Sequence, residues 1–360
     1  MSAEPATLAG KDVDALGTAA AADRSGAPTI CVAENRLWCE PGVRLLIASL
    51  ARHAPGLQVQ LFFPNPSEAL MGWLRAYPHV ALNRYVLAGD WSGYDIKPKA
   101  IRTLIDRGHD DIAWIDSDII VTRDIVPILG GLPSDMIVAT EEALCSNHGD
   151  AGALRTRLWN MPVGRVLPFT LNTGVVRLTR AHRGLIDAWM SLLDADVYRA
   201  AQQQPWNERP PHLLGDQEVF TALVSSAEFS HLPVRLLRRG TDIVQFFGSA
   251  GYTVRERFGN LRHPPAFIHA QGQKPWAARA TGAKSHASFL DAYRDLSPYR
   301  VAARAYDQAL ADASWTRPLP GAATFFDALG AGRVPLVGLP HALVADLVRA
   351  AKRLTMRTAA

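Results

Sequence analysis

Two aspartates interrupt an apolar segment at residues 113–121, AWIDSDIIV, which otherwise reads as a buried strand and its continuation. A buried carboxylate is costly unless it is paired with a positive charge or bound to a metal. Asp116 and Asp118 stand two residues apart, so both can reach one cation if the backbone turns at the end of the strand. Carboxylate oxygens are hard ligands that suit Mg²⁺ or Mn²⁺. The pattern predicts a metal site, although an ordinary surface turn with two acids has the same spacing.

A second segment, FIHAQGQKPW at residues 267–276, follows a short apolar strand with a histidine, a glycine and a lysine. The His269 imidazole can complete a metal shell, and Gly272 leaves room for backbone N–H groups to approach a phosphate. The Lys274 ammonium can neutralise charge that develops on a leaving group. Taken alone, His269 is more typical of a structural histidine. Its occurrence together with the Asp-Ser-Asp triplet favours a site that binds a metal and a diphosphate.

Four segments resemble, in order along the chain, the motifs of family 8 of the glycosyltransferases, which includes bacterial lipooligosaccharide galactosyltransferases and glycogenin. They are the Asp116-Ser117-Asp118 triplet after its apolar strand, LNTGVV at residues 171–176, LGDQEVF at 214–220 and HAQGQKPW at 269–276. The resemblance extends over residues 29–276, and the ordered set is more specific than any one motif. It departs in the last motif, where the single residue Gln273 separates the glycine from Lys-Pro-Trp and the family usually has two.

The resemblance implies an enzyme of the GT-A fold that moves a hexose from a nucleoside-diphosphate sugar, foremost a UDP-hexose, to a hydroxyl group of a glycan or glycolipid. It implies Mn²⁺ or Mg²⁺ as the cofactor, held by Asp116, Asp118 and His269. Gly272 and Lys274 are implied to face the diphosphate of the donor. The implied enzyme is therefore a metal-dependent hexosyltransferase, and members of this family retain the anomeric configuration.

Further residues are assigned to this site by the same resemblance. The resemblance implies three catalytic residues, Gln217, Asp216 and Lys274. Gln217 and Asp216 are implied to lie near the reacting carbon, and Gln217 is implied to flank it. The residues implied to bind the donor, besides Gly272, are Glu34, Asn35, Lys97, Lys99, Ser117 and Asn172.

Several of these residues have an ordinary structural role as an alternative. Asp216 is also suited to cap a helix over residues 217–225, and Asn172 is also typical of a loop near a glycine. The two lysines equally fit the solvated face of a helix. The glutamate and asparagine after the first strand equally fit a strand-to-helix turn.

Strands and helices alternate along the part of the chain that contains these motifs. Short β-branched or apolar runs predict strands, and apolar residues at helical spacing predict helices. The predicted strands are residues 29–33, 57–63, 112–115, 136–139, 175–178, 234–237 and 266–268, and the predicted helices are residues 41–50, 66–76, 98–107, 181–193 and 217–225. Such alternation is typical of an α/β fold whose mostly parallel sheet is covered by helices on both faces. Ligands of such sheets bind beyond the carboxyl ends of the strands.

Composition divides the chain into three parts. Residues 1–27 are rich in Ala, Gly, Ser and Asp, which predicts a mobile tail because burial cannot offset their ordering entropy. Residues 28–300 form the expected GT-A domain. Residues 301–360, with a Pro- and Gly-rich stretch before a final helix at 341–357, form an expected small C-terminal helical annex.

The overall composition excludes several classes of function. The formal net charge is only +4, and the arginines are scattered without the interleaved aromatic residues of a nucleic-acid surface. We therefore expect no nucleic-acid partner. The three cysteines are widely spaced and form neither a disulfide framework nor a zinc pattern, and there is no apolar run of membrane-spanning length and no signal-peptide pattern. These features predict a cytoplasmic protein.

The final helix has two alternative roles. Leu343, Leu347 and Leu354 lie near one stripe, and four basic residues against one acid give the segment a net charge of +3. Such a helix can lie on an anionic bilayer, which would make the protein peripheral to the inner face of the membrane. Packing of the helix onto the domain is the alternative.

Two other functions compete with glycosyl transfer. A non-catalytic sugar-nucleotide-binding protein would keep the fold but should have lost a metal ligand, whereas all three candidates are present. A haloacid-dehalogenase-like phosphatase also uses an Asp-x-Asp motif, in which the first aspartate is a nucleophile. That motif normally ends the first strand of its domain, whereas Asp116 follows at least two strand–helix units. Both functions therefore rank below glycosyl transfer.

Overall fold

The structure is a computed structural model that describes residues 26–87, 95–142, 151–245, 253–272, 274–277 and 297–317, with isolated residues between 336 and 351. All but the last two residues of the tail expected at residues 1–27 lie outside the described part. Most of the annex expected at residues 301–360 also lies outside it. The division of the chain into three parts therefore stays a prediction.

The described part of the chain contains ten strands. They are β1 (Thr29–Ala33), β2 (Val59–Phe62), β3 (Val80–Asn83), β4 (Asp111–Ile115), β5 (Ile119–Val121), β6 (Ile137–Glu141), β7 (Leu171–Thr179), β8 (Val234–Leu237), β9 (Ile243–Gln245) and β10 (Phe267–His269). Seven of them form a central sheet in the order β3-β2-β1-β4-β7-β6-β8. Strand β7 is antiparallel to both neighbours, and the other pairs are parallel. The predicted α/β class with a mostly parallel central sheet is confirmed.

The remaining strands form a second sheet in the order β5-β10-β9. Strand β10 is antiparallel to β5 and parallel to β9. The apolar segment around the Asp-Ser-Asp triplet thus does not continue as one strand, because β4 and β5 belong to different sheets. Between them the chain turns, and the Ile119 N–H donates to the Asp116 carbonyl at 3.2 Å. This turn is what allows both aspartates to face the same space.

Helices cover both faces of the central sheet. They are α1 (Glu40–His53), α2 (Glu68–Leu74), α3 (Ile96–Asp106), α4 (Val126–Leu129), α5 (Ala151–Leu158), α6 (Arg183–Asp194), α7 (Asp196–Gln202), α8 (Asp216–Ser225), α9 (Val254–Arg262) and α10 (Pro298–Ala303). The five helices predicted from the sequence correspond to α1, α2, α3, α6 and α8. Ser67 caps α2 by accepting a hydrogen bond from the Leu70 N–H at 3.0 Å.

Strand β1 illustrates why the central strands read as continuous apolar runs. Ile30 and Val32 pack into the core beneath α1 and α2, whereas Cys31 and Ala33 pack into the core beneath α3, α6 and α8. Successive side chains of a strand point to opposite faces, so a sheet covered on both sides needs apolar residues at every position. Polar residues at the carboxyl ends of these strands therefore stand out from their surroundings.

A third apolar cluster lies beside the small sheet and is rich in aromatic residues. The ring of Trp276 lies 5.8 Å from each of the rings of Tyr299 and Trp315, measured between centroids. Leu45 of α1 belongs to the same cluster. Through Tyr299, helix α10 is anchored on the domain, and it crosses the boundary expected at residue 300.

Parts of the final helix are described, and residues 342–344 and 346–348 are helical. The Leu347 side chain is 70% exposed, and the Asp346 carboxylate accepts a hydrogen bond at 3.0 Å from the Val254 N–H at the start of α9. Within the described ranges, we find no helix with both the length and the apolar content needed to cross a bilayer. Contact of this helix with a membrane stays a prediction.

Candidate functional site

A pocket of about 750 Å³ opens at the carboxyl ends of β1 and β4 and at the amino end of the antiparallel strand β7. Twelve of the thirteen residues selected from the sequence line it, and their positions are described below. A volume of this size matches sites that bind ligands as large as cofactors. The pocket therefore lies where a mostly parallel sheet is expected to bind its ligand.

The three candidate metal ligands converge at one end of this pocket. One ligand atom from each of Asp116, Asp118 and His269 can be chosen so that all lie within 4.8 Å of one another. His269 Nε2 lies 3.4 Å from Asp118 Oδ1 and 3.8 Å from Asp116 Oδ2. Two carboxylates and one imidazole form a mixed donor set that fits Mn²⁺ or Mg²⁺. The predicted triad is thus brought together, and the identity of the ion stays a prediction.

The pairing of β5 with β10 explains how His269 reaches the aspartates. In this antiparallel pair His269 lies opposite Ile119, which is the residue after Asp118. The Ala270 N–H donates to the Asp118 carbonyl at 2.9 Å, which extends the pairing. On the other side, the Asp116 N–H donates to the Gly174 carbonyl at 2.8 Å. Backbone hydrogen bonds therefore hold both aspartates and the histidine at fixed positions.

Gly174 explains why a glycine follows the Asn-Thr pair in the second motif. A Cβ atom at this position would lie 2.7 Å from His269 Cε1 and 2.8 Å from Asn172 Oδ1. Carbon atoms do not approach this closely without displacement of one partner, so an alanine would push the imidazole or the amide away. The glycine thus permits close packing of β7 against His269.

We call Asp116, Asp118, His269, Lys274 and Lys97 the metal corner. The Lys274 ammonium contacts the Asp118 carboxylate. Burial alone would raise the pKa of Asp118, but the charges of Lys274 and His269 outweigh burial and hold this pKa well below its ordinary value. Asp118 is therefore a carboxylate at physiological pH, the form that a metal ligand requires.

Lys97 is buried between two aspartates of different motifs. Its Nζ lies 3.2 Å from Asp116 Oδ1, 3.4 Å from Asp216 Oδ2 and 3.0 Å from Thr173 Oγ1. Burial would lower the pKa of Lys97, but Asp116 and Asp216 outweigh it and raise the pKa. The ammonium thus stays charged and bridges the candidate metal ligand Asp116 to the start of α8.

Asp216 does not cap α8 with its side chain. The N-cap position is Gly215, and the Asp216 carboxylate instead accepts a hydrogen bond from Thr173 Oγ1 at 2.6 Å. Burial raises the pKa of Asp216, and the charge of Lys97 offsets part of this effect. The structural alternative considered for Asp216, a helix cap, is therefore not what the structure shows.

Lys99 is the one residue selected from the sequence that the structure does not bring to the pocket. Its Nζ lies 2.8 Å from Asp95 Oδ2 and 3.2 Å from Asp194 Oδ1. Two residues along a helix correspond to a rotation of about 200°, so Lys97 and Lys99 face opposite sides of α3. Lys99 therefore does not line the pocket, and a role for it in donor binding stays a prediction.

A second group of polar residues, which we call the amide corner, lies beside the start of α8, and all of its members except Glu142 line the pocket. It consists of Glu142, Asn172, Gln217, Glu218 and Gln271. Asn172 Nδ2 donates to Glu142 Oε2 at 2.8 Å and to Gln217 Oε1 at 3.1 Å. Gln217 Nε2 donates to Glu218 Oε1 at 3.0 Å, and Gln271 Nε2 donates to Glu142 Oε2 at 3.1 Å. The orientation of each amide is therefore fixed, because its N–H group donates to a carboxylate oxygen.

Three members of the amide corner were not selected from the sequence. Glu142 directly follows the apolar strand β6, and Gln271 and Glu218 lie inside recognised motifs. Asp116 was identified because a carboxylate directly follows a buried strand, and the same signal could have identified Glu142. Burial raises the pKa of Glu218 to about 7.

The residues after β1 form a compact ionic cluster. Glu34 accepts hydrogen bonds from the Arg36 guanidinium, with both N···O distances at 2.8 Å, and from Ser117 Oγ at 2.8 Å. Burial would raise the pKa of Glu34, but Arg36 outweighs it and lowers the pKa. Asn35 is exposed at the pocket, and the Arg36 guanidinium lies 5.2 Å from the centre of the Trp38 ring. The structure thus shows more than an ordinary turn here, and Glu34 holds Ser117 and Arg36 in place.

Gly272 and Lys274 lie at the pocket on the segment after β10. Gly272 has φ = +85°, a left-handed conformation that other residues adopt only with strain. Gln273, the residue at which the motif departs from the family, lies outside the described part of the chain. The backbone bend at the glycine lets Lys274 turn back toward Asp118.

No protein-family model matches this chain, and no curated protein matches it at a significant level. Solved structures of glycosyltransferases resemble it at low sequence identity. WbbM, a bifunctional glycosyltransferase, is 16% identical over 70% of this chain with a TM-score of 0.48, and the match spans 47% of the WbbM chain. The glycosyltransferase GlyE of Streptococcus pneumoniae TIGR4 is 16% identical over 81% of this chain and 62% of its own, with a TM-score of 0.43.

An active-site mutant of LgtC is 13% identical over 72% of this chain and 91% of its own, with a TM-score of 0.42. The structural neighbours named here are thus glycosyltransferases, and the chain spans less than half the length of WbbM. Membership of family 8, expected from the sequence motifs, stays a prediction.

Proposed function

We propose that this protein is a metal-dependent, retaining glycosyltransferase of the GT-A fold and of family 8, which transfers a hexose from a UDP-sugar to a hydroxyl group of a glycan or glycolipid. The observation that carries this proposal is the convergence of Asp116, Asp118 and His269 within 4.8 Å, beside Lys274, in a pocket of about 750 Å³. Such a site suits the diphosphate of a nucleotide sugar.

The metal corner would stabilise the leaving group. A divalent cation held by Asp116, Asp118 and His269 supplies Lewis-acid stabilisation of the negative charge on the diphosphate, and we expect Mn²⁺ to be preferred because the donor set is mixed. Lys274 adds an ammonium on the same side of the pocket. Positive charge placed in advance where negative charge develops lowers the barrier most effectively.

The amide corner supports retention of the anomeric configuration. An inverting enzyme needs a general base on the face opposite the leaving group. In our proposal Gln217 flanks the anomeric carbon, and a neutral amide can stabilise positive charge through its oxygen but cannot take a proton. Asp216 is engaged by Lys97 and Thr173, which makes it a poor candidate for that base. The acceptor would then attack from the same face as the leaving group.

The nucleoside would bind beside the end of β1. Asn35 offers an exposed amide, and Trp38 offers an exposed aromatic surface at the pocket. Glu34 would act indirectly, because its oxygens already accept hydrogen bonds from Arg36 and Ser117. We propose Lys97 and Asn172 as further donor-site residues, since both line the same pocket.

The test is a screen of UDP- and GDP-sugars for release of the nucleoside diphosphate without acceptor, in Mn²⁺, in Mg²⁺ or in excess chelator. We expect release from a UDP-hexose, its loss in chelator, and its recovery when Mn²⁺ is restored. Full turnover in excess chelator would contradict metal dependence. Binding of UDP-sugars without turnover, in the presence of sugar acceptors, would indicate the alternative, a non-catalytic sugar-nucleotide-binding protein.

The proposed location is the cytoplasm, with contact to the inner face of the membrane through the final helix. The exposed Leu343 and Leu347 side chains support such contact. Co-sedimentation with vesicles containing anionic lipid tests it, and neutral vesicles are the control. Equal recovery in the supernatant with both kinds of vesicle would leave packing onto the domain as the role of this helix.

A further inference from the structure

An exposed tryptophan stands at the edge of the pocket, on the segment that leads to Gln217. Trp206 begins a 3-10 turn, Trp206–Glu208, between α7 and α8, and 54% of its surface is exposed. It lines the pocket together with Leu214 and Gly215. Within the described ranges, no ring or cation is recorded against this indole. Trp38 differs, because the Arg36 guanidinium already lies 5.2 Å from its ring centre.

The loop that carries Trp206 is held in place by one arginine. Arg209 Nη1 donates to the Leu214 carbonyl at 3.0 Å, and Arg209 Nη2 donates to the Gln202 carbonyl at 3.1 Å. Arg209 Nε donates to the Gln204 carbonyl at 3.0 Å. These bonds tie the end of α7 to both ends of the loop. A large apolar side chain is thus presented to solvent from a fixed backbone.

An aromatic contact supports the same loop from below the surface. The ring of His212 lies 5.5 Å from the ring of Trp159, measured between centroids, at an interplanar angle of 87°. Gln202 Nε2 also donates to the Leu213 carbonyl at 2.7 Å. A rigid aromatic surface binds a ligand at a lower entropic cost than a mobile one. An exposed tryptophan on such a loop is therefore suited to recognition.

We infer that Trp206 is the stacking surface for a sugar ring of the acceptor. This inference rests on the proposed function. In the proposed function the diphosphate occupies the metal corner and the anomeric carbon lies beside Gln217. The acceptor must therefore bind on the side of Gln217 that faces away from the metal corner. Leu214 and Gly215 lie between Trp206 and Gln217 in the sequence and also line the pocket. A pyranose ring has one face lined by C–H groups, and this face packs on an indole while the hydroxyl groups stay hydrated.

The stacking surface predicts a class of acceptor. It favours a cyclic sugar over an acyclic polyol, because only the ring presents a flat apolar face. It also makes Trp206 a residue that determines specificity for the acceptor and contributes little to binding of the donor. A tenfold change in acceptor affinity corresponds to about 1.4 kcal/mol, which is within the range of one aromatic contact.

The first experiment is an NMR titration that does not require turnover. The indole N–H resonance of Trp206 is assigned by its loss in Trp206→Phe, and the parent is titrated with methyl β-galactopyranoside, methyl β-glucopyranoside, lactose, maltose and the acyclic control sorbitol, with Mg²⁺ and UDP present. We expect a saturable shift of this resonance with at least one cyclic sugar and none with sorbitol. No shift with any of the sugars, or an equal shift with sorbitol, would overturn the inference.

The second experiment separates the acceptor from the donor by kinetics. We expect Trp206→Ala to raise the KM for the sugar acceptor about tenfold and to leave the KM for the donor within twofold, and we expect Trp206→Phe to recover most of the loss. Phe258→Ala is the matched control, since Phe258 is 52% exposed on α9 and does not line the pocket.

Failure of the inference and failure of the proposed function give different results. An unchanged acceptor KM in Trp206→Ala, or an equal rise in the donor KM, would overturn the role of Trp206 while transfer itself continued. Absence of turnover of every nucleotide sugar by the parent would instead overturn the proposed function. In that case the NMR titration alone decides whether the indole binds a sugar.

Discussion

The metal corner and the amide corner hold buried carboxylates in different ways. In the metal corner each aspartate lies against a lysine. Lys97 Nζ is 3.2 Å from Asp116 Oδ1, and Lys274 contacts Asp118. Opposite charges placed this close attract each other and offset part of the cost of burial.

In the amide corner, carboxylates accept hydrogen bonds from neutral amides. Asn172 Nδ2 lies 2.8 Å from Glu142 Oε2, and Gln217 Nε2 lies 3.0 Å from Glu218 Oε1. An amide satisfies a lone pair but brings no charge, so burial dominates and raises the pKa of Glu218 to about 7. At Asp118 the charges of Lys274 and His269 outweigh burial and lower the pKa, whereas at Glu218 burial outweighs the neutral amide and raises it.

The largest expected effect is at the metal corner. Asp118→Ala removes a ligand and a partner of His269, so we expect loss of metal-dependent UDP binding and a fall in turnover of about a thousandfold, equivalent to about 4 kcal/mol. Calorimetric titration with UDP in Mn²⁺ measures the first, and release of UDP from the donor measures the second. Asp110→Ala is the control, because the Asp110 side chain is 75% exposed and pairs with Arg180 at the surface. If Asp118→Ala binds UDP with Mn²⁺ as tightly as the parent, Asp118 is not a ligand.

The next effect concerns the stability of the amide corner and its dependence on pH. Because the pKa of Glu218 is about 7 in the folded protein and near 4.5 when unfolded, the folded state binds more protons between these values. The protonated Glu218 carboxyl contributes about 3 kcal/mol to the free energy of unfolding. This contribution is fully present below pH 4.5 and is lost as the pH rises through 7.

Glu218→Gln removes this titration, so its unfolding free energy should fall less than that of the parent between pH 4.5 and 7. Urea unfolding at several pH values measures the difference, and Glu68→Gln, at an exposed position on α2, should follow the parent. Parallel curves for Glu218→Gln and the parent would mean that Glu218 is ionised throughout this range, and the contrast between the corners would fail.

The third prediction asks whether the amide corner acts in the transition state. We expect Gln217→Ala to lower kcat about a hundredfold, or about 2.7 kcal/mol, with little change in the KM for the donor. Gln203→Ala, at an exposed position after α7, is the control. Proton NMR of the fresh product of the parent gives the anomeric coupling, and we expect an α-linked product from an α-linked donor. A β-linked product would refute the role of Gln217 and the family assignment together.

The smallest effect tests the contact between the two corners. A methyl group in Gly174→Ala would lie 2.7 Å from His269 Cε1 and 2.8 Å from Asn172 Oδ1, so we expect Mn²⁺ affinity to fall about tenfold. Gly184→Ala is the matched control, because an added Cβ there meets nothing within 4 Å and alanine favours the helix. Unchanged Mn²⁺ affinity in Gly174→Ala would show that the ring of His269 moves freely in the site.

The sequence pattern predicted the class of fold well, for a local reason. Residues 30–33 and 112–115 are apolar at every position because both faces of the central sheet are covered, and this is visible in the sequence without any knowledge of the neighbours. The motifs after these strands were also identified, because a carboxylate next to a buried strand is unusual wherever it lies. The strands β3 and β9 were missed. Strand β3 lies at the edge of the central sheet, where its residues are only partly buried and its apolar pattern is weak.

The two lysines of α3 show where sequence pattern is insufficient. Lys97 and Lys99 have the same residue type, lie two positions apart and are both buried. Only the packing of α3 against the sheet decides that Lys97 meets Asp116 and Asp216 while Lys99 meets Asp95 and Asp194. The orientation of a helix about its own axis depends on all of its contacts, so single residues do not reveal it.

Local sequence was enough to identify Asp116, Asp118 and His269 as residues able to bind a metal, because ligand chemistry belongs to the side chain itself. Their convergence was decided by tertiary structure: about 150 residues separate His269 from the aspartates, and the antiparallel pairing of β10 with β5 places it beside them. The same holds for the Lys97 bridge and for the amides of Asn172 and Gln271 that hold Glu142. Such contacts join distant parts of the chain, and their energy exists only after the sheets have formed.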